Sequence, residues 1–309
     1  MPPAPLQYNE TTFALPAFRV MGFFDLPVAD SRMRAAARRV LDLFLAAAGD
    51  RLAWFIKAGG GSRRPAPQPV DDRTIAQARE WLAQAPFEWP STLRFNGWLD
   101  APDSIVAPPH LRIEQRAHLA LIQVELPPDT PDPAGFADAF CAAVAGLPLV
   151  WGVMGMGLYL PTAKDSLVWM LPRVTPRFRA AIEVQPDQAE RALRRASGGG
   201  EDDTPRIPDT GWRCLLGPDL AAALDLSALA GTAGVEIRDH GGFTAITAGP
   251  APIWGDVNRA EDISVYRAAA QALRPARVEW NYVRNALFGS GGGDEKIDRL
   301  EDWFTRYGA

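Results

Sequence analysis

A chain of 309 residues, 47% of them hydrophobic and with 10 Trp, can bury a full core, which excludes a disordered adaptor and leaves one large domain or two lobes. Its net charge of −5 and pI near 5.4 argue against a protein that holds a nucleic-acid backbone, a task needing a concentrated basic surface. The same acidic balance suits a basic protein partner, because complementary fields speed encounter.

Residues 1–11 read as a flexible N-terminus lacking the basic region and apolar core of a secretory signal, so the expected location is the cytoplasm. A strand is predicted over 18–26, then a helix capped by Asp30 or Ser31. Its stripe is Met33, Ala37, Val40, Leu41 and Phe44, and Gly49 ends it. A strand over 51–57 follows. Residues 58–69, rich in Gly, Ser, Arg and Pro, read as a surface loop. Asp71 or Asp72 opens a helix to residue 85 that buries Ile75, Ala78 and Leu82.

From 92–99 and 111–126 the apolar period changes to two, with His118, Ala120, Ile122, Val124 and Leu126 on one side of a long strand, which implies a meandering antiparallel sheet. Asp132 and Pro133 start the next helix, whose core face is Phe136, Phe140 and Val144. The apolar run 147–160 is too short for a bilayer and reads as a strand over 149–159, after which Thr162 caps a helix ended by Pro172. The Gly- and Asp-rich stretch 197–208 is a lobe boundary or a loop within one domain. Residues 235–249 form a hairpin turning at His240-Gly-Gly. These elements define an α+β protein with a mixed, largely antiparallel sheet packed against helices. It is expected as a single domain over 12–309, or as two lobes divided within 161–205.

Little in the chain spells catalysis. Gly152-Val-Met-Gly-Met-Gly157 has the wrong spacing for a dinucleotide fingerprint and reads as small residues in a crowded strand. His110, His118 and His240 are too scattered for a zinc site; His118 is expected as a satisfied sheet residue and His240 as a turn residue. Cys141 and Cys214 read as buried thiols with no disulfide framework. No metal and no cofactor is expected. Asp256, Glu261 and Asp262 could surround a magnesium ion in a metal-dependent hydrolase, but turn stabilisation by Asp256 and charge complementation of a helix N-terminus by the other two are simpler tasks.

The stretch 249–275 is the most distinctive. Asn258 and Glu261 have the spacing of a capping box, Ile263, Tyr266, Ala270 and Leu273 share one helical face, and Pro275 stops the helix. Its pattern, carried by Gly249, Pro252, Gly255, Asp256, Asn258, Glu261, Asp262, Tyr266, Leu273 and Pro275, resembles the C-terminal signature of the bacterial type VI immunity family, whose members neutralise type VI secretion effectors. Gly211-Trp-Arg-Cys-Leu-Leu-Gly and Asp302-Trp-Phe-Thr-Arg-Tyr-Gly resemble further parts of that family. Similarity extends over most of the chain, and its specificity lies in the C-terminal third.

The resemblance implies a non-catalytic protein that binds a cognate effector toxin; the acidic charge and the lack of a signal or spanning run add a cytoplasmic location with no direct contact to nucleic acid or membrane. The toxin is expected to be a nuclease or a nucleotide-targeting enzyme. The other readings are the metal-dependent hydrolase around Asp256 and an accessory subunit of the secretion apparatus. Candidate partner contacts are the acidic clusters Glu201, Asp202, Asp203 and Asp294, Glu295, together with Trp254, Asp256, Glu261 and Asp262. Trp89 and Trp98, near turns, are further interface candidates, whereas Trp81, Trp151 and Trp212 are assigned to the core.

Overall fold

The computed structural model of the protein describes residues 3–8, 11–58, 66–84, 91–97, 107–160, 174–193, 205–287 and 294–308. Eleven strands form one sheet: β1 (Leu6–Tyr8), β2 (Thr11–Phe24), β3 (Trp54–Ala58), β4 (Gln68–Pro69), β5 (Ser91–Gly97), β6 (Ala107–Gln115), β7 (Ala120–Leu126), β8 (Leu149–Tyr159), β9 (Arg213–Leu216), β10 (Val235–Asp239) and β11 (Thr244–Ala248). Their order is β10-β11-β9-β8-β2-β7-β6-β5-β3-β4, antiparallel throughout, and β1 pairs with the start of β2. Part of the segment expected to be a flexible N-terminus therefore lies in the sheet. Among the described residues the α-helices of four residues or more are α1 (Ser31–Ala48), α2 (Asp72–Gln84), α3 (Pro133–Val144), α4 (Pro186–Leu193), α5 (Pro218–Ala222), α6 (Ser227–Ala230), α7 (Ser264–Leu273) and α8 (Asp294–Phe304), so the expected α+β class is the one adopted.

β2 is the central strand, and its residues 14–24 are buried on both faces. Phe18 meets Phe136 of α3 edge-to-face at 6.5 Å, and α1 lies between α2 and α3. The three helices start on side chains that satisfy free amides. Asp30 accepts from Arg32 N–H at 2.8 Å and Asp132 from Gly135 N–H at 2.8 Å, while Asp71 and Thr74 bond each other's amides at 2.7 and 2.9 Å. Gly49, at φ 59°, ends α1 as expected.

The run 111–126 is not one strand. It is the β6–β7 hairpin, closed by the Arg116 N–H to Leu119 carbonyl bond of 2.9 Å, and His118 is exposed in the turn instead of lying in the sheet. The apolar set changes parity across that turn, Leu111 and Ile113 before it and Ala120, Ile122 and Val124 after it. The pairs Leu111–Val124 and Ile113–Ile122 then share one face.

β8 pairs with β9, so strands preceding residue 161 and following residue 205 share a sheet. The helix expected at 162–172, the cluster Glu201, Asp202, Asp203, and the two candidates Trp89 and Trp98 lie outside the described residues. Among the described residues no helix is long and apolar enough to cross a membrane.

Candidate functional site

The 249–275 segment is built to hold backbone in place. Gly249 (φ 86°) leaves β11, and its carbonyl accepts the Trp212 indole N–H at 2.9 Å. Pro252 and Trp254 are buried, the latter edge-to-face on Phe178 at 5.6 Å, which removes Trp254 from the candidate contact surface. The Trp254 and Gly255 carbonyls accept from Ala180 and Arg179 N–H at 3.1 Å each. Gly255 has φ 64°, and a Cβ there would lie 2.7 Å from the Ala180 amide nitrogen, so only glycine fits.

Asp256 follows, buried, and receives Arg177 Nε and Nη2 at 3.2 and 3.1 Å and the Asn258 N–H at 3.0 Å. The Arg177 hydrogen bonds hold its carboxyl below the usual range. A buried carboxylate in this arrangement is closed to a partner. Glu261 turns back to accept the Asp256 N–H at 3.0 Å.

Asn258 does not cap the helix. It sits in the 3-10 turn Val257–Arg259, and Ala260 (φ 51°, left-handed) breaks the path before α7 begins at Ser264. Asp256 caps the turn, and Asp262 takes the Ser264 N–H and hydroxyl at 2.8 and 2.9 Å. The capping-box spacing matched side-chain types correctly but assumed one continuous helix.

Tyr266, Ala270 and Leu273 of α7 are buried together with Ile263, as the helical spacing requires, and Tyr266 Oη accepts the Ile253 N–H at 3.1 Å. Tyr266→Ala is expected to cost about 2 to 5 kcal/mol by opening a cavity, and Tyr266→Phe about 1 to 3 kcal/mol by stranding that amide. Thermal or urea unfolding of the two variants checks the order. Pro275 lies in the turn Arg274–Ala276 that follows α7.

The C-terminal tail packs against the Gly211 segment. Arg306 and Asp209 are both fully buried and ion-paired. Asp209 also accepts from Thr210 and Glu183 N–H at 2.7 and 3.2 Å, and Arg306 lies over the Trp303 and Tyr307 rings.

A second polar cluster lies on the sheet face opposite α1 and α3. Arg19 of β2 bonds both Glu125 oxygens at 3.2 and 3.1 Å, the Ile182 and Val184 carbonyls at 3.1 and 3.2 Å, and Gln185 at 3.1 Å. His110 Nδ1 faces Asn96 Oδ1 at 2.6 Å. Burial, then the charges of Arg94 and Arg112, push that imidazole well below its ordinary pKa and keep it neutral. Residues 182–185 and α4 cover this face, and α4 is tied down by Arg116 to Asp187 and to Glu190 at 2.6 Å each.

The glycines of β8 make this approach possible. A Cβ on Gly157 would sit 2.4 Å from the Ile182 carbonyl oxygen and 2.6 Å from Arg19 Cδ. Gly157→Ala should therefore destabilise the fold by about 1 to 3 kcal/mol, a loss that chemical denaturation would register.

Of the sequence-derived candidates, the structure brings Trp254, Asp256, Glu261 and Asp262 into one turn, where each has a structural task. Val257, Asn258, Arg259 and Ala260 form its exposed tip, and Val257 is 53% exposed. Asp294 and Glu295 open α8, away in sequence from that turn. The three carboxylates proposed for magnesium serve Arg177, the Asp256 amide and Ser264 in turn. Among the described residues no group of three or more His, Cys, Asp or Glu is placed to hold a metal. Cys141 and Cys214 are buried free thiols, both pushed up by burial, Cys214 to about 12. Residue-by-residue reading passed over Arg19, Glu125, Arg177, Glu183 and Asp209. A single Arg inside the apolar run of β2 was the available signal for the first.

These features define an α+β protein built on one wide antiparallel sheet, its C-terminal third locked by caps and buried ion pairs. The solved structure described as "Pseudomonas aeruginosa T6SS protein PA0821" matches with a TM-score of 0.76 at 17% identity, over 99% of this chain and 87% of that one. The two share a fold. No family model matches the chain, and no curated protein matches its sequence.

Proposed function

We propose that this chain is an immunity protein that binds a cognate type VI secretion effector toxin in the cytoplasm and blocks it without chemistry of its own. The observation that carries the reading is a fold shared over 99% of the chain with a protein described as belonging to the type VI secretion system. The signature residues add support. Gly249, Gly255, Asp256, Tyr266 and Leu273 hold a scaffold, as expected of a binding protein whose contact surface must vary with its partner.

The net charge of −5 favours a basic toxin, such as a nuclease or another nucleotide-targeting enzyme. Stoichiometric blocking calls for nanomolar binding, on the order of −12 kcal/mol, and an interface of about 1,600 Å². With Trp254 and Asp256 buried, the contacts fall to exposed groups, and the tip around Val257 and Asp262 is one candidate surface.

The test is co-expression with the toxin encoded beside this chain's gene, in the cytosol of a susceptible bacterium. Growth is expected to be restored and the two proteins to co-purify. Failure to protect while both are soluble, or protection only by a periplasm-directed version, would overturn the proposal.

A further inference from the structure

We infer that the cleft between residues 270–280 and the end of α8 is a binding site for a small organic anion, a phosphate or carboxylate carried on an aromatic ring. The cleft has a volume of about 340 Å³, and Arg206, Arg274, Arg277, Trp280, Phe304 and Tyr307 are among the residues that line it. That volume falls in the range of small-molecule sites, roughly 300–1,000 Å³.

Arg277, one of the lining residues, is only 8% exposed. The other deeply buried guanidinium groups among the described residues are matched: Arg19 with Glu125, Arg213 with Asp138 and Arg306 with Asp209. Among the described residues no carboxylate lies within ion-pair distance of Arg277. Its Nη1 and Nη2 share the Phe304 carbonyl oxygen at 3.4 Å each, and its Nε has no partner. Burial, then the charge of Arg306, pull its pKa down to about 10. A buried cation without a counter-charge is costly, and a bound anion relieves that cost.

The neighbouring charges point the same way. Arg206, half-buried, donates to the Pro275 carbonyl at 3.3 Å, and Arg274 is exposed. Among the described lining residues, Arg206, Arg274 and Arg277 stand beside one carboxylate, that of the exposed Glu279. The ring preference comes from Trp280 and Phe304, both half-buried, with centroids 5.6 Å apart and tilted by 44°. Arg277 already lies over the Phe304 ring at 4.9 Å. Guanidinium forks recognise phosphate and carboxylate in the plane, and the aromatic walls distinguish an organic anion from an inorganic one.

Calorimetric titration of the full chain tests this with phenyl phosphate and benzoate as ring anions, inorganic phosphate as the ring-free control and phenol as the uncharged control. One site per chain is expected for a ring anion, with inorganic phosphate at least about tenfold weaker and phenol silent. Each charged hydrogen bond lost, as in Arg274→Ala or Arg206→Ala, should weaken binding by about tenfold or more. Arg277→Gln should abolish it. Because Arg277 is buried and its variant can misfold, the Arg274 and Arg206 variants decide the matter, with circular dichroism confirming their fold. The assignment is overturned if neither ring anion binds saturably, if inorganic phosphate or phenol binds as well as they do, or if binding survives both substitutions unchanged.

Discussion

Arg306→Ala is expected to lower the unfolding free energy by about 3 to 5 kcal/mol, among the largest losses any single side-chain truncation should cause in this protein. Arg306 lies three residues from the end of the chain, where truncations are usually tolerated. Here the tail is part of the core. The guanidinium is fully buried, pairs with Asp209, donates Nη1 to the Trp303 carbonyl at 2.9 Å and stacks on Trp303 and Tyr307.

Removing it leaves Asp209 buried with only amide donors from residues 183, 184 and 210. Amide dipoles do not replace a full positive charge at that depth. Burial works against the charged Arg306, but Asp209, with Tyr307 and Glu183 adding to it, raises the guanidinium pKa above its ordinary value. Urea denaturation of the wild type, Arg306→Ala, Asp209→Asn and the double variant forms a cycle that isolates the pair. If the two single losses simply add, the pair is not coupled and this account of the tail is wrong.

Much of the architecture was legible because local signals agreed with one another. Asp30, Asp71 and Asp132 cap where capping chemistry placed them, β8 spans Leu149–Tyr159 as its apolar run required, and the His240-Gly-Gly turn closes the last hairpin. Where a local signal had a competitor, it failed. The 111–126 run kept its alternation through a turn, and only the parity change betrayed the hairpin. At 256–264 two short Asp-capped turns mimic one capping box, because Asn258 and Glu261 have the right spacing but Ala260 takes the left-handed conformation.

The polar interior was less legible for a different reason. Arg19 meets Glu125 106 positions away and Arg306 meets Asp209 97 positions away, so nothing in the local sequence announces either partner. Trp254 shows the same limit. Its place between Pro252 and Gly255 suggested an exposed turn, but Phe178, far along the chain, covers it.

Glu183→Gln is expected to stabilise the protein above neutral pH and to leave it almost unchanged near pH 4. Glu183 is fully buried; the Thr175 hydroxyl donates to Oε1 at 2.7 Å, and Oε2 has no partner. Burial raises its pKa to about 8, with Asp209 adding to the rise, while Arg306 and Thr175 oppose it. The carboxyl is thus a neutral acid in the folded chain at neutral pH, whereas in the unfolded chain it ionises near its ordinary value of 4.5.

Between those values the folded state binds the extra proton, so stability falls as pH rises. The contribution is fully present below about pH 4.5 and is lost by the time pH passes about 8. With roughly 1.4 kcal/mol for each pH unit, the window amounts to about 5 kcal/mol. Gln carries the neutral form at every pH and removes this dependence. Comparing the variant with wild type cancels the other titrating groups, among them His110, whose depressed pKa instead costs stability as pH falls. Urea midpoints at closely spaced pH values should therefore coincide for the two proteins at acid pH, diverge steadily from about 4.5 to about 8, and run parallel beyond. A constant offset across the whole range would mean that Glu183 keeps its ordinary pKa in the folded chain, and the account of it as a buried neutral acid would fall.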